Sequence, residues 1–118
     1  MEMRFAVLLL VSLLVLSFSE AATLHGTVYD SSLNMIKNAQ LEINTTPKQS
    51  HISKNGVYFF YVPLGTYEIS AEKYYQGQLV YSSKKIVTVR KDGEFNIDII
   101  VEAMPGVEMP PDEGEAGP

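Results

Sequence analysis

The stretch GVYFFYVPLGTYEI, residues 56–69, decides the fold of this 118-residue chain. Apolar and aromatic side chains recur at every second position before and after a Pro-Leu-Gly turn at 63–65. Because alternate side chains of a strand share a face, this period predicts two successive strands, each with a buried face. Residues 57–62 are apolar at both sets of positions. We therefore expect this strand to be central in its sheet and covered on both sides.

The same two-residue period extends in both directions along the chain. The segment 23–30 is predicted to bury Leu24, Gly26 and Val28, and 39–45 is predicted to end before Pro47, which cannot donate to a ladder. Asn-Gly at 55–56 and Asp-Gly at 92–93 are typical of hairpin turns. About seven short strands predict one small antiparallel β-sandwich, all-β and Ig-like. The remaining predicted strands cover 50–53, 66–74, 76–82, 84–90 and 94–101.

The N-terminus has the pattern of a secretory signal peptide, residues 1–21. Arg4 supplies a positive start, residues 5–18 are almost entirely apolar, and Ser19 and Ala21 are small residues suited to cleavage after Ala21. Cleavage would place the protein outside the cytoplasm, secreted or at the cell surface. The alternative is an uncleaved membrane anchor, although the apolar run is shorter than the ~20 residues that a spanning helix needs.

Composition divides the mature chain into a domain at 22–102 and a tail at 103–118. The tail is rich in Pro, Gly and acidic residues, and we expect it to be disordered. Residues 22–101 carry eight basic and seven acidic side chains, without the basic patch of a nucleic-acid-binding protein. The cysteine count is zero, which excludes disulfides, thiolate metal sites and cysteine nucleophiles.

The order of these patterns resembles the carboxypeptidase regulatory-like domain. The resemblance covers nearly all of residues 24–101 and implies a transthyretin-like, prealbumin-type sandwich. It also implies a non-catalytic accessory module of exported proteins, with no catalytic residues to transfer. Two positions depart from the family pattern, since Asn34 and Met35 stand where glycine and proline are usual. The matching residues are Gly26-Thr-Val28-Tyr-Asp30, Met35-Ile36-x-x-Ala39-x-Leu41 and Ser53-x-x-Gly56-x-Tyr58-x-Phe60-x-x-Pro63-x-Gly65-x-Tyr67-x-Ile69.

The Gly-x-Tyr and Pro-x-Gly-x-Tyr layout is also similar, more weakly, to the lumenal β-sandwich domain of the seventh subunit of the ER membrane protein complex. That similarity implies an alternative function, a subunit of a membrane-associated complex held by a retained N-terminal segment. The membrane is an expected partner only in that case. In that subunit a membrane helix follows the sandwich, whereas here an acidic, Pro-rich segment follows.

Exposed aromatic residues are the best candidates for a binding surface. Phe59 and Tyr61 alternate with the expected core residues of their strand, while Tyr74, Tyr75 and Tyr81 cluster around the Gln-Gly turn at 76–77. Such rings stack on a sugar or on a partner chain. We therefore expect binding or scaffolding through a protein partner or a glycan, with a carbohydrate-binding accessory domain of a secreted hydrolase system as a further alternative.

The polar residues do not form a recognisable catalytic or metal-binding pattern. His25 and His51 are the only histidines, both are expected on outward faces, and neither has a second ligand at a known spacing. Asp30 begins a turn with some likeness to a calcium loop, but turn capping explains it better. The pair Glu68 and Glu72 fits a solvated strand face. We predict no enzyme activity and no cofactor.

Asn44 begins the only N-glycosylation sequon, Asn-Thr-Thr at 44–46. Export makes such a site usable, and the end of a strand is a suitable place for a sugar. Pro47 follows the sequon directly, a position that lowers its use.

Overall fold

The structure, a computed structural model, describes residues 20–111. The predicted signal sequence up to residue 19 and residues 112–118 of the predicted tail lie outside this range. The described residues form nine strands without a helix, which confirms the all-β class, and thus contain no helix able to cross a membrane. The strands are β1 (Ala21–Tyr29), β2 (Gln40–Ile43), β3 (Gln49–Ile52), β4 (Val57–Pro63), β5 (Gly65–Tyr75), β6 (Gln78–Val89), β7 (Gly93–Asn96), β8 (Ile99–Ile100) and β9 (Glu102–Ala103).

The strands form two sheets that enclose one core. The front sheet has the order β4-β1-β7, with β8 also paired to β1, and the back sheet has the order β3-β2-β5-β6-β9. The predicted small β-sandwich is therefore confirmed. Most pairs are antiparallel, but β7 and β8 run parallel to β1. Alternation of side chains reports which residues are buried and carries no information on strand direction, so this parallel pairing was not predicted.

The core contains the residues that the alternation predicts. Leu24 and Val28 of β1 and Leu41 and Ile43 of β2 belong to one core cluster, and all four are completely buried. Each such aliphatic side chain contributes about 1.5–3 kcal/mol on burial, so these residues provide much of the stability. The other fully or nearly fully buried apolar residues are Ala22, Ile36, Ala39, Tyr58, Phe60, Val62, Ile69, Ala71, Val80, Val89, Ile99 and Val101.

The predicted central position of residues 57–62 is wrong. The strand β4 is an edge strand that pairs only with β1 within residues 20–111. Its inner residues are buried as predicted, but Val57, Phe59 and Tyr61 on the other face are exposed. A strand with two apolar faces is typical of a sheet interior, yet the same pattern arises when an outer face carries exposed aromatic residues.

The two predicted hairpin turns, at 55–56 and 92–93, are also wrong. Each turn carries the chain from one sheet to the other, because β3 pairs with β2 while β4 pairs with β1, and β6 pairs with β5 while β7 pairs with β1. The tightest hairpin is at Gln76-Gly77, where both residues have positive φ, 50° and 80°. The residues of a turn determine how the backbone bends locally, whereas the burial of apolar side chains determines which strands pair.

The C-terminal part of the domain differs from prediction in its strand boundaries. The two strands expected at 76–82 and 84–90 are one continuous strand, β6, and the single strand expected at 94–101 is divided into β7 and β8. Pairing also extends past residue 102, the predicted end of the domain. Ala103 lies opposite Tyr81 in β6, and the Met104 N–H donates to the Val80 carbonyl at 2.8 Å.

Candidate functional site

Two exposed aromatic residues stand side by side on the outer face of β4. Phe59 is 49% exposed and Tyr61 is 64% exposed, although both are large rings that usually lie in a core. Their ring centroids are 5.8 Å apart at an interplanar angle of 77°, an edge-to-face contact. The register of β4 with β1 sets Phe59 opposite His25 and Tyr61 opposite Thr23. Both side chains are thus exposed, as the binding hypothesis requires, and not covered as in a central strand.

The second histidine joins this aromatic pair from the other sheet. In β3, His51 lies opposite the buried Leu41, so it is on the inner face and not on the outward face that the sequence predicts. Because β3 is an edge strand, an inner side chain there reaches the side of the sandwich. The His51 ring is 5.0 Å from the Phe59 ring and 6.3 Å from the buried Phe60 ring.

We call His25, His51, Phe59 and Tyr61 the aromatic patch. The first three line one shallow hollow of about 420 Å³ at the side of the sandwich, together with Lys54, Asn55 and Asn96. Within residues 20–111 no three His, Asp or Glu side chains are grouped so that they could hold a metal ion. Sequence reasoning missed His51 because nothing local marks β3 as an edge strand or brings residue 51 beside residue 59.

The outer edge of β4 is partly protected by a side chain. Gln49 of β3 donates from Nε2 to the Tyr61 carbonyl at 2.7 Å, on the side of β4 away from β1. The same Nε2 lies 3.2 Å from the Thr45 hydroxyl. An edge strand offers unpaired backbone groups to other chains, and side-chain contacts of this kind limit such pairing.

The three other candidate tyrosines lie on the back sheet. Tyr74 is exposed, and its hydroxyl donates to Glu72 at 3.1 Å, a hydrogen bond that raises the pKa of the phenol. Tyr75 is half-buried, and Tyr81 packs against the core. Tyr81 also lines a hollow of about 170 Å³ that Pro110 and Pro111 cover in part. The five candidates are thus divided between two sheets, and Phe59 and Tyr61 form a ring pair on the front sheet.

The carboxylates that sequence reasoning weighed for catalysis or calcium binding serve local structure. Asp30 Oδ1 accepts from the backbone N–H groups of Ser32 and Asn34, each at 2.9 Å, which is the predicted turn capping. The residue of this turn in the left-handed conformation is Leu33, with φ 65°. Glu68 lies 4.0 Å from Lys84 in an exposed ion pair.

Two further candidates concern processing and modification. Ala21, the predicted last residue before cleavage, begins β1 opposite Pro63, and the next residue, Ala22, is buried in the core. Asn44 is exposed just after β2, where its Oδ1 accepts from the Glu68 N–H at 2.8 Å. The signal peptide itself lies outside the described residues, apart from its last two positions.

One buried hydroxyl, that of Tyr58 in β4, connects the front sheet to the segment between β7 and β8. The Tyr58 hydroxyl donates to the Ile97 carbonyl, between β7 and β8. Burial raises the pKa of Tyr58 strongly, and the nearby charge of Asp98 adds to the increase. The phenol therefore stays protonated and remains a donor throughout the ordinary pH range.

Residues 20–111 thus define a small β-sandwich with an aromatic patch on one edge. The fold is similar to a solved structure, the Bacillus anthracis TIE protein, with a TM-score of 0.54 and 19% sequence identity. The match covers 71% of this chain and 17% of that chain, so this chain corresponds to a small part of a much longer protein. At this identity the likeness shows the fold alone. No protein-family model matches the chain, and no curated protein sequence matches it significantly.

Proposed function

We propose that this protein is an exported, non-catalytic β-sandwich module that binds a partner outside the cytoplasm through the aromatic patch. The observation that carries this proposal is the adjacent exposure of Phe59 and Tyr61 on an edge strand. Leaving two such rings in water forgoes the free energy of their burial, about 1.5–3 kcal/mol for a ring of this size. Rings of this kind are typical anchors of interfaces.

The arrangement of the rings favours a protein partner over a glycan. At 77° to one another, Phe59 and Tyr61 do not form the flat platform on which consecutive sugar rings would stack. A protein side chain can enter the angle between them, and the histidine hollow beside Phe59 offers a further pocket for it. A glycan that stacks on one ring remains the second candidate, in keeping with a carbohydrate-binding accessory module.

The resemblance to the carboxypeptidase regulatory-like domain supports this proposal from another direction. Modules of that family accompany exported proteins without carrying out chemistry themselves. The Asp30 and Glu68 carboxylates of this chain are engaged in turn capping and an ion pair, as a structural role requires. We therefore infer an accessory or scaffolding role for the module, with binding as its activity.

Binding assays on matched variants test the proposal. The full chain, with Phe59→Ala, Tyr61→Ala and Tyr74→Ala variants, is used to capture partners from the extracellular fraction of its source and is applied to a glycan array. We expect the first two variants to lose at least tenfold in affinity and Tyr74→Ala to bind like wild type, because Tyr74 is as exposed as Phe59 but lies on the back sheet. Equal binding by all variants would remove the aromatic patch from the proposal.

The alternative is a subunit of a membrane-associated complex, anchored by its N-terminal segment. The start of β1 at Ala21 favours neither version, since the strand begins directly after the apolar run in both. Mass determination of the mature N-terminus distinguishes them. A chain that starts at Ala22 in the extracellular fraction supports the exported module, and a chain that retains residues 5–18 in the membrane fraction supports the anchored subunit.

A further inference from the structure

A second hollow lies on the same side of the molecule, beside the sequon. It has a volume of about 540 Å³, and Asn44, Thr46 and Gln49 lie on one part of its wall, with Tyr61, Pro63 and Tyr67 on another. The sequon is therefore placed beside two tyrosine rings that belong to other strands. This neighbourhood is not visible in the sequence, where Asn44 is 17 positions before Tyr61.

The side chain of Asn44 is held in one orientation. Its Oδ1 accepts from the Glu68 N–H at 2.8 Å, and its backbone N–H donates to the Glu68 carbonyl at 3.3 Å, which continues the pairing of β2 with β5. Since a backbone N–H needs an acceptor, the oxygen of the amide faces Glu68 and Nδ2 lies on the opposite side. A sugar on Nδ2 leaves the amide oxygen in place, so this hydrogen bond is compatible with glycosylation.

We propose that Asn44 carries an N-linked glycan whose first sugar packs in this hollow against Tyr61 and Tyr67. In the transfer step, Asn44 Nδ2 forms a bond to the anomeric carbon of a sugar carried on a lipid phosphate. The bond between that carbon and the phosphate oxygen breaks, the lipid phosphate leaves with the electron pair, and Nδ2 loses one proton to a base. Thr46 supplies the hydroxyl that the transfer reaction requires two positions after the asparagine.

The two tyrosines are suited to hold a sugar. Tyr67 is fixed because its hydroxyl donates to the Pro63 carbonyl at 2.7 Å, and Tyr61 has most of its surface exposed before any sugar is present. The apolar face of a pyranose ring packs on the face of an aromatic ring. A glycan placed here contacts the part of Tyr61 that lines this hollow, whereas Phe59 and the histidine hollow lie outside it.

The modification is tested on the full chain secreted from a eukaryotic host that performs N-glycosylation. Intact mass is measured before and after treatment with an amidase that removes N-glycans. We expect the wild type and Thr46→Ser to lose mass on treatment, and Thr46→Val, which keeps Asn44 and its hydrogen bond to Glu68, to carry no glycan. A wild-type chain without added mass overturns the proposal.

The packing is tested by a double-mutant cycle on thermal unfolding. Tyr61→Ala is introduced into the glycosylated wild type and into the unglycosylated Thr46→Val chain. We expect the loss of melting temperature to be larger by about 2–5 °C in the glycosylated chain. Phe59→Ala serves as the control, with equal losses in both backgrounds. Equal losses of melting temperature for Tyr61→Ala in the two backgrounds would overturn the proposed packing. Neither the mass measurement nor the unfolding measurement depends on the binding partner of the module.

Discussion

The carbonyl oxygen of Ile97 lies directly over the Cα of Gly26, so closely that a Cβ at position 26 would collide with it. The Ile97 N–H donates to the His25 carbonyl at 2.7 Å, and its carbonyl accepts from the Tyr58 hydroxyl. The chain between β7 and β8 is thus attached to β1 and β4 at one point. Glycine at position 26 permits this approach, which explains its place in the first motif of the sequence.

The substitution Gly26→Ala tests this approach. The atom that the new Cβ meets belongs to the backbone, which cannot move without disturbing both strands beside it. We expect a loss of about 2–4 kcal/mol in the free energy of unfolding, measured by urea denaturation. Thr27→Ala on the same strand, whose side chain faces outward, is the control and should cost less than about 1 kcal/mol. Equal effects of the two substitutions would contradict the steric explanation.

The buried phenol of Tyr58 predicts a dependence of stability on alkaline pH. Its pKa is raised in the folded state, mainly by burial and further by Asp98, while the unfolded chain ionises near pH 10. The folded state is therefore favoured below pH 10, and this contribution decreases as the pH rises above 10 towards the folded pKa.

The variant Tyr58→Phe isolates that effect. At pH 8 we expect it to be about 1 kcal/mol less stable than wild type, because the Ile97 carbonyl loses its hydrogen bond from Tyr58. Between pH 10 and 11.5 the difference in free energy of unfolding between wild type and Tyr58→Phe should become smaller. Only the wild type loses stability there, because Tyr58 ionises in the unfolded chain and stays protonated in the folded one. Urea midpoints at four pH values measure it. A difference that stays constant over this range would show that Tyr58 ionises equally in both states.

The turn after β1 contains a residue that is unsuited to its backbone conformation. Leu33 has φ 65° and a side chain that is 68% exposed, so it has the cost of a left-handed conformation without the gain of burial. We expect Leu33→Gly to raise the free energy of unfolding by about 0.5–1 kcal/mol. Leu33→Ala retains a Cβ and should show no such gain. A decrease in stability for Leu33→Gly would mean that the leucine side chain has a packing role.

The sequence predicts which side chains are buried better than it predicts which strands pair. Alternation identified the inner residues of β1, β2, β4 and β5, because a strand with one buried face leaves a local record of that face. The neighbours of a strand leave no such record. The edge position of β4, the crossing turns at 55–56 and 92–93 and the parallel course of β7 all depend on contacts between distant segments.

The same contrast between local pattern and contacts of distant segments holds for the candidate site. The sequence left the exposure of Phe59 and Tyr61 open, since the same alternation fits a central strand covered on both sides or a strand with an exposed aromatic face. The contribution of His51 was not predicted, because it depends on β3 lying at the edge of the opposite sheet, where an inner residue reaches Phe59. The hollow that places Asn44 beside Tyr61 depends in the same way on the packing of separate strands.

The segment 103–111 should contribute to stability, although its composition resembles that of a tail. Ala103 pairs with Tyr81, the Met104 N–H donates to the Val80 carbonyl at 2.8 Å, and Pro110 and Pro111 line the hollow beside Tyr81. We compare a chain that ends at Pro111 with one that ends at Glu102. The shorter chain loses at least one backbone hydrogen bond to β6, so its free energy of unfolding should be about 1–2 kcal/mol lower. Identical urea midpoints would show that the contacts of residues 103–111 with β6 add no net stability, and the domain would then end at residue 102, the boundary that the composition predicts.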